Sequence, residues 1–259
     1  MNIVVCLKRV PLTQEVDLQV NSDKKDIVKD GLAFVVNDWD NYAIEEAVQL
    51  KEKLGGEVTA VTVGYEDDEE VLRRALAMGA DKAIRIDPGE RELDAFVISK
   101  ILSSVIRDLR YDLVLTVVQA DDTNEAMVGV MVAENLGIAH AAVVNGIEVD
   151  GNELTIKVEL EGGIDEVSTI TLPAVLTIQT GINEPRYVSI MGIRKAGKKE
   201  LKVMTIDELG LSQDYLLPQT VIEELFLPPE TEGAEILEGD PGTIAEEIIR
   251  IIKDKGVSI

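Results

Sequence analysis

Short apolar runs alternate with longer stretches of helical periodicity over the first 140 residues. The apolar runs are bounded by polar or turn-forming residues, as is typical of buried strands, and they lie at 3–7, 58–63, 83–86 and 113–118. The stretches with helical spacing lie at 42–54, 67–78, 93–109 and 123–136. This alternation predicts an α/β fold built on a doubly wound, mostly parallel sheet of the Rossmann-like type.

The pattern changes after Val143. Residues 144–149 and 154–160 flank the sequence Asp150-Gly151-Asn152, which favours a tight turn. These segments predict a β-hairpin added to the parallel sheet. Residues 172–178 form one more apolar run and predict a further strand.

The last part of the chain predicts an arm. Beyond Thr205 the apolar residues have no regular period until a final helix, which Asp240 can cap and Pro241 can begin. Isoleucines give this helix an apolar stripe, and they lie at 244, 248, 251 and 252. We therefore predict an α/β domain over 1–204 and, over 205–259, an arm and helix that pack on a partner subunit.

The composition excludes several classes of function. The 259 residues include 49 acidic and 25 basic side chains, and the net charge of -24 argues against binding nucleic acid through the general surface. One cysteine and one histidine provide for no internal disulfide, zinc cluster or catalytic triad, so we predict no metal and no catalytic residue. No apolar run reaches the roughly 20 residues of a membrane span, and the first run is too short for a secretory signal, which predicts a cytoplasmic protein without direct membrane insertion.

Four loops are predicted at the edge where parallel sheets of this kind bind ligands, beyond the carboxyl ends of the strands. These loops lie at 7–9, 37–40, 63–64 and 119–125. Backbone N–H groups at the start of the helix after 119–125 can hold a phosphate. The alternative is an ordinary strand end at Lys8 and helix capping by Asn37, Asp122 or Thr123. Neither a GxGxxG nor a GxxxxGK[ST] motif is present.

A basic segment, 183–202, contrasts with the acidic remainder of the chain. Its centre holds two apolar residues, Ile190 and Met191, beside Gly192, which favours a turn. The basic side chains outnumber the acidic ones and are Arg186, Arg194, Lys195, Lys198, Lys199 and Lys202. A basic loop with an aliphatic tip indicates contact with an anion or a partner protein.

Eight motifs, taken in order, carry a family resemblance. They are VVCLKRVP at 4–11, AIEEAVQLKEK at 43–53, EVTAVTVG at 57–64, LRRALAMGADKAI at 72–84, YDLVLTVVQADD at 111–122, KVELEGGIDEV at 157–167, LPAVLTIQTGINEPRY at 172–187 and IRKAGKK at 193–199. In their order and spacing, the chain resembles the beta subunit of electron-transfer flavoproteins over nearly its full length.

The resemblance implies an electron carrier rather than an enzyme. In this family the beta subunit has an adenine-nucleotide-binding type of α/β domain and forms an obligate heterodimer with an alpha subunit, which holds most of the FAD near the interface. The flavin takes electrons from acyl-CoA or other flavin dehydrogenases, as in fatty acid oxidation, and passes them to a quinone oxidoreductase or another acceptor. The competing hypothesis is a stand-alone nucleotide-binding protein with the same sheet. Such a protein would not need the hairpin, the basic segment or the arm.

The resemblance also implies a nucleotide in this subunit: a structural AMP, or a second FAD in electron-bifurcating members. Bifurcating relatives tend to have two threonines where this chain has 94–99, so AMP is favoured. The nucleotide-binding positions carried over are Cys6, Leu7, Lys8, Asn37, Asp38, Asp40, Val63, Gly64, Gln119, Ala120, Asp122, Thr123, Asn124, Glu125, Ala126, Met127 and Val128.

Two further roles follow from the resemblance. The segment 183–202 matches a recognition loop that docks dehydrogenases, with Ile190 at the aliphatic anchor, which is usually leucine. The other docking residues are Arg186, Tyr187, Met191, Lys195, Lys198 and Lys199. Glu159 matches a glutamate that in relatives pairs with an alpha-subunit arginine and biases the orientation of the flavin domain.

Overall fold

The computed structural model describes residues 1–14, 16–229, 233–234 and 236–257. The strands are β1 (Asn2–Cys6), β2 (Arg9–Pro11), β3 (Phe34–Val36), β4 (Glu57–Val63), β5 (Lys82–Asp87), β6 (Leu113–Val117), β7 (Ala139–Asp150), β8 (Glu153–Leu160), β9 (Ile164–Thr171), β10 (Ala174–Ile178) and β11 (Leu201–Thr205). The α-helices are α1 (Asp38–Leu54), α2 (Glu69–Met78), α3 (Ala95–Asp108), α4 (Val128–Leu136), α5 (Ile190–Ala196) and α6 (Pro241–Asp254).

Nine strands form one sheet in the order β11-β5-β4-β1-β6-β10-β7-β8-β9. Neighbouring strands are parallel from β11 to β7, and β8 and β9 then continue the sheet as an antiparallel meander. The α/β fold with a mostly parallel, Rossmann-like sheet is therefore confirmed. The strand order switches at β1, which lies between β4 and β6.

Both faces of the sheet are covered, so the central strands are apolar throughout. On one face Ile3 and Val5 pack with α1 and α2, and on the other Val4 and Cys6 pack with α3 and α4. Each of these four side chains is at least 92% buried, because the largest exposed fraction among them is 8% for Cys6. Alternating side chains thus serve two cores, which explains the continuous apolar runs in the sequence.

Two predicted elements were placed wrongly. The helix predicted from Thr123 begins at Val128, because Asn124 and Ala126 have φ values of 51° and 55°, which an α-helix cannot accommodate. The segment 183–202, predicted as a loop with a turn at Gly192, instead contains α5 and the start of β11. The short antiparallel pair β2–β3 and the strand β9 were not predicted from the sequence.

The chain beyond β11 begins as part of the domain and then leaves it. Ile206 and Leu216 are buried in the core on the α3 side of the sheet. By contrast, no residue of α6 is buried. Across the described part of the chain, no helix has both the length and the apolar character needed to cross a membrane.

Candidate functional site

The predicted ligand loops meet at the switch in strand order. The backbone N–H of Leu7, just after β1, donates to the carbonyl of Val61 in β4 at 2.9 Å. The N–H of Gly64, just after β4, donates to Ile86 O in β5 at 2.9 Å. The carboxyl end of β6 lies on the other side of β1, so these loops share one edge of the sheet.

Asn37 connects two of these loops, 37–40 and 119–125, through its side chain, which is fully buried. Its amide nitrogen donates to Asp40 Oδ1 at 3.1 Å and to Gln119 O at 3.4 Å, and its Oδ1 accepts the backbone N–H of Asp121 at 3.0 Å. The alternative that Asn37 simply caps α1 is therefore wrong, because its side chain makes no capping hydrogen bond to the helix. It joins the start of α1 to the turn after β6.

Asp40 completes this network from the first turn of α1. Its side chain is buried, and Oδ2 accepts the backbone N–H of Lys8 at 2.6 Å. Burial raises the pKa of Asp40 to about 7, against the opposing effect of the hydrogen bonds from Lys8 and Asn37. Burial also raises the pKa of the Cys6 thiol to about 12, with a smaller contribution from the charge of Asp40. Cys6 is thus a protonated core residue and not a reactive thiol.

The turn after β4 requires glycine. A Cβ at Gly64 would lie 2.2 Å from Asp68 Oδ2, and that carboxylate accepts the backbone N–H of Tyr65 at 2.6 Å. Arg85 fixes the same turn by donating to the carbonyl of Gly64 at 3.1 Å. Gly64 is buried and both of its backbone polar groups are hydrogen-bonded, so this glycine shapes the turn beside the ligand edge of the sheet.

The loop after β6 leads into a helix whose first N–H groups have no side-chain cap. The backbone N–H of Asn124 donates to Ala120 O at 2.9 Å, so the loop is a closed turn before α4. The start of α4 lies against the sheet, because a Cβ at Gly129 would lie only 2.2 Å from Thr116 Oγ1. The predicted residues Thr123, Asn124, Glu125 and Ala126 are exposed on this loop.

The arrangement fits a ligand that carries phosphate. Uncapped N–H groups at a helix start bind anions, and the helix dipole favours negative charge there. The nearby carboxylates face protein groups, since Asp122 Oδ1 is 2.6 Å from Lys8 Nζ and Asp121 Oδ2 accepts the backbone N–H of Asp38 at 3.4 Å. Among the described residues, no group of three or more His, Cys, Asp or Glu side chains is placed to hold a metal ion.

A second surface lies on α5. The exposed fractions of Tyr187, Ile190, Met191 and Ile193 are 94%, 74%, 68% and 58%. Ser189 caps the helix by accepting the N–H of Gly192 at 3.0 Å. We call the side chains of Tyr187, Ile190, Met191 and Ile193 the α5 patch. Arg194, Lys195 and Lys198 are exposed beside it, as the docking hypothesis requires.

The inner face of α5 is fitted to α2. Ala196 is buried, and a Cβ at Gly192 would lie 3.0 Å from the carbonyl of Ala77. Lys199 donates from Nζ to the carbonyls of Leu76 and Ala80 at 2.9 and 2.5 Å, at the end of α2. Burial lowers the pKa of Lys199. The structure therefore places Lys199 as a support of α5, which differs from the docking role predicted for it.

Arg186 is likewise held inside the domain. Its guanidinium donates to Glu45 Oε2 at 2.8 Å and to Glu52 Oε1 at 2.7 Å, both on α1. The side chain of Glu45 is only 4% exposed. Asn183, which lies three residues before Arg186, donates to Glu46 Oε2 on the same helix at 3.0 Å. These contacts make Arg186 a strut between α1 and the segment 183–202, called the docking segment after its predicted role, rather than a free charge for a partner.

A cleft of about 1180 Å³ opens between α1, α2, α5 and the β2–β3 pair. Asp38 and Asp121, from the ligand edge of the sheet, line one part of it. Arg186, Tyr187 and Ile193, from the docking segment, line another. The two predicted regions are therefore neighbours along the same side of the domain.

Glu159 lies on the antiparallel meander, far along the sheet from α5. It is exposed in β8, and its position in the ladder is opposite Asp165 of β9. Two acidic side chains on neighbouring strands give this end of the meander a negative surface.

The C-terminal arm is fixed at its root and apolar on its exposed side. Lys25 Nζ donates to the carbonyls of Ile222 and Glu223 at 2.5 and 2.6 Å, and Asp94 Oδ2 accepts the N–H groups of Gln219 and Thr220 at 2.6 and 3.0 Å. Large apolar side chains of the arm and α6 are exposed, and they include Leu217, Val221, Ile222, Phe226, Leu227, Ile248 and Ile249. Such a surface is characteristic of a region covered by another protein.

Comparison with known proteins decides the family. The model of the electron transfer flavoprotein domain matches residues 26–209. The chain belongs to the electron transfer flavoprotein family. It is 39% identical to the electron transfer flavoprotein subunit beta of Bacillus subtilis (98% of each chain), 37% identical to that of Methylophilus methylotrophus (98% of each chain) and 33% identical to the human protein (99% of this chain, 98% of the relative).

In this electron transfer flavoprotein chain, the residues that support the docking segment were not predicted from the sequence. They are Glu45, Glu46 and Glu52 on α1, and Arg73, which donates to the carbonyls of Ala196 and Lys199 at 3.2 and 3.4 Å. One signal was present: Glu45 and Glu46 interrupt the apolar pattern of α1 in the middle of the helix. A charged pair at such a position indicates a buried partner elsewhere in the chain.

Proposed function

We propose that this chain is the beta subunit of a heterodimeric electron transfer flavoprotein and works as an electron carrier. The observation that carries the proposal is the exposed apolar arm: α6 has no buried residue, although its isoleucines form a stripe. An alpha subunit that covers this stripe would bury the apolar area expected of an obligate interface. FAD, held mainly by that subunit near the interface, supplies the redox chemistry when bound.

The heterodimer is tested by light scattering after size exclusion. Together with an alpha subunit, the parental chain is expected to give the mass of a 1:1 complex. Ile248→Asp places a charge in the stripe and is expected to weaken the complex by roughly 2 kcal/mol or more, about 30-fold. Lys253→Asp adds the same side chain on the opposite face of α6 and serves as the control. A parental chain that stays a well-behaved monomer beside the alpha subunit would contradict the proposal and favour a stand-alone nucleotide-binding protein.

We propose that the ligand edge of the sheet holds a structural AMP. The uncapped start of α4 supports this, because no side chain caps its first backbone N–H groups, which can hold a phosphate at the ligand edge of the sheet. The alternative ligand is a second FAD, as expected of a bifurcating protein. Both ligands share the adenylate group, so the residues at this edge would hold that common part.

We propose that the α5 patch docks flavin dehydrogenases, acyl-CoA dehydrogenases among them, and that Lys195 and Lys198 steer them. The patch is apolar, exposed and surrounded by positive charge on a chain of net charge -24. An apolar centre supplies affinity, and a charged rim supplies association rate. The electrons then pass through the flavin to a quinone oxidoreductase or another acceptor.

We propose a separate role for Glu159 at the far end of the sheet. Its exposed carboxylate, near Asp165, offers a negative surface to an arginine of the alpha subunit. An exposed pair of this kind is worth about 0–1 kcal/mol, which suits the bias of a mobile flavin domain better than its permanent attachment.

A further inference from the structure

The side chains of Asn37 and Asp40 form one buried network between the loops at the ligand edge. Asn37 is 0% exposed and Asp40 is 1% exposed. Through Oδ2, Asp40 holds the backbone N–H of Lys8 at 2.6 Å. Through Oδ1 and the amide of Asn37, it is connected to Gln119 O and the N–H of Asp121. The turn after β1 and the turn after β6 are therefore tied to the same carboxylate.

The carboxylate form is the one that suits this network. Each oxygen of Asp40 faces an N–H donor, so a proton on either oxygen would replace an acceptor by a donor and break one of the two links. The orientation of Asn37 is equally constrained, because one end of its amide faces a carbonyl and the other faces an N–H. Neither side chain can turn over without losing a bond at one of the loops.

The charges around Asp40 come from three elements. Cys6 faces it from β1 as a neutral thiol, Lys8 lies just after β1, and Asp121 lies after β6. Lys8 favours the carboxylate and Asp121 disfavours it, but burial is the largest influence and raises the pKa of Asp40 to about 7. The two forms of Asp40 therefore exchange near neutral pH.

We infer that Asp40 is a positioning residue whose ionised side chain holds the Lys8 turn and, through Asn37, the Gln119–Asp121 turn in the arrangement that binds the nucleotide. The inference rests on the proposed function, because it takes the ligand to be an adenine nucleotide. In this role Asp40 acts on the two turns and does not itself have to contact the ligand. An acidic residue here is otherwise unexpected, since its charge opposes the binding of a phosphate.

The variant Asp40→Asn distinguishes a positioning role from a purely electrostatic one, because the two roles predict opposite changes in the affinity for AMP. If Asp40 acted only through its charge, removing that charge would tighten the binding of AMP. If it positions the loops, the variant loses one link at about the same volume, and AMP should bind roughly 10-fold more weakly. The matched control is Asp108→Asn, which removes one negative charge from the exposed end of α3 and should bind AMP as the parental protein does.

The experiment is calorimetric titration of AMP into the heterodimer that retains FAD but has been freed of AMP, at about pH 6 and about pH 8, on either side of the raised pKa. AMP itself gains a proton near pH 6, which changes its affinity for any protein. The pH dependence of the parental affinity is therefore compared with that of the variant. The parental affinity should fall towards pH 6 more steeply than the affinity of Asp40→Asn, which should be weak at both values. Mass and flavin content show whether each variant is assembled.

Hydrogen exchange followed by mass spectrometry gives a second, ligand-free measurement. Asp40→Asn should speed exchange in peptides that cover Lys8 and Asp121, whereas Asn37→Ser should do so only around Asp121, because it leaves the link to Lys8 intact. This second variant also keeps the test open if Asp40→Asn fails to assemble. If the parental protein binds AMP and Asp40→Asn binds it equally well or more tightly, the inference about Asp40 is overturned while the nucleotide proposal stands. A parental heterodimer that binds neither AMP nor FAD at this edge would overturn the inference and the nucleotide proposal together.

Discussion

Ile190→Ala is expected to weaken electron transfer from a partner dehydrogenase while the protein itself stays intact. The side chain is 74% exposed at the centre of the α5 patch, so its removal costs the domain little stability. Truncation of an aliphatic anchor that fills a partner pocket costs about 1–3 kcal/mol, or roughly 5- to 150-fold in affinity. The measurement is the rate of flavin reduction at sub-saturating dehydrogenase.

Two further variants define the docking surface. Val167→Ala is the matched control, because Val167 is 58% exposed on β9 at the opposite edge of the sheet and should transfer electrons at the parental rate. Lys195→Glu combined with Lys198→Glu should slow the same step at low ionic strength and recover as salt screens the charges. Parental rates in Ile190→Ala under these conditions would show that another surface binds the dehydrogenase.

Among the proposed variants, Arg186→Ala is expected to lower the free energy of unfolding the most. The change leaves Glu45, which is only 4% exposed, without the guanidinium that compensates its charge. Arg186 itself is 32% exposed, so the loss should lie between the roughly 3–5 kcal/mol of a fully buried pair and the roughly 0–1 kcal/mol of an exposed one, at about 2 kcal/mol. The measurement is the midpoint of chemical unfolding of the assembled protein.

The control for Arg186→Ala is Arg194→Ala, an exposed arginine of the same segment, which should change the free energy of unfolding by no more than about 0.5 kcal/mol. Hydrogen exchange over 183–199 should increase in the first variant only. If both variants unfold at the same midpoint, the ion pairs with α1 do not hold the docking segment.

The same ion pairs give stability a dependence on acid pH. Burial alone would raise the pKa of Glu45, but hydrogen bonds from Arg186 and Gln49 outweigh it, and the net pKa is lowered. The hydrogen bond from Arg186 is the main reason that the pKa of Glu52 is lowered. A lowered folded-state pKa gives stability that is complete above the unfolded-state value and is lost as the pH falls through the folded-state value. The stability gap between the parental protein and Arg186→Ala should therefore narrow in acid.

The sheet was predictable because its strands are buried on both faces. Residues such as Val4 and Val5 belong to opposite cores, which leaves a continuous apolar run that the sequence displays directly. The edge of the sheet followed from topology, since loops after parallel strands lie together. That is why Lys8, Asn37 and Gln119 were predicted as neighbours before any distance was known.

The docking segment was harder to predict because long-range contacts decide its structure. Gly192 lowers the helix propensity of a seven-residue helix, yet it lets α5 pack closely on α2, since a Cβ at this position would lie only 3.0 Å from Ala77 O. Arg186 and Glu45 are 141 residues apart in sequence, so charge counting assigned Arg186 to the surface. The start of α4 was misplaced for a local reason, since two residues with positive φ precede it without a glycine to mark them.

The nucleotide content of the purified heterodimer tests the central claim most directly. The chain is produced with an alpha subunit, the complex is denatured in acid, and the released nucleotides are separated by chromatography and quantified against protein. We predict one FAD and one AMP for each heterodimer. Release of two FAD and no AMP would show that a second flavin, and not AMP, occupies the ligand edge of the sheet. A complex that releases no flavin would contradict the assignment of this chain as an electron carrier.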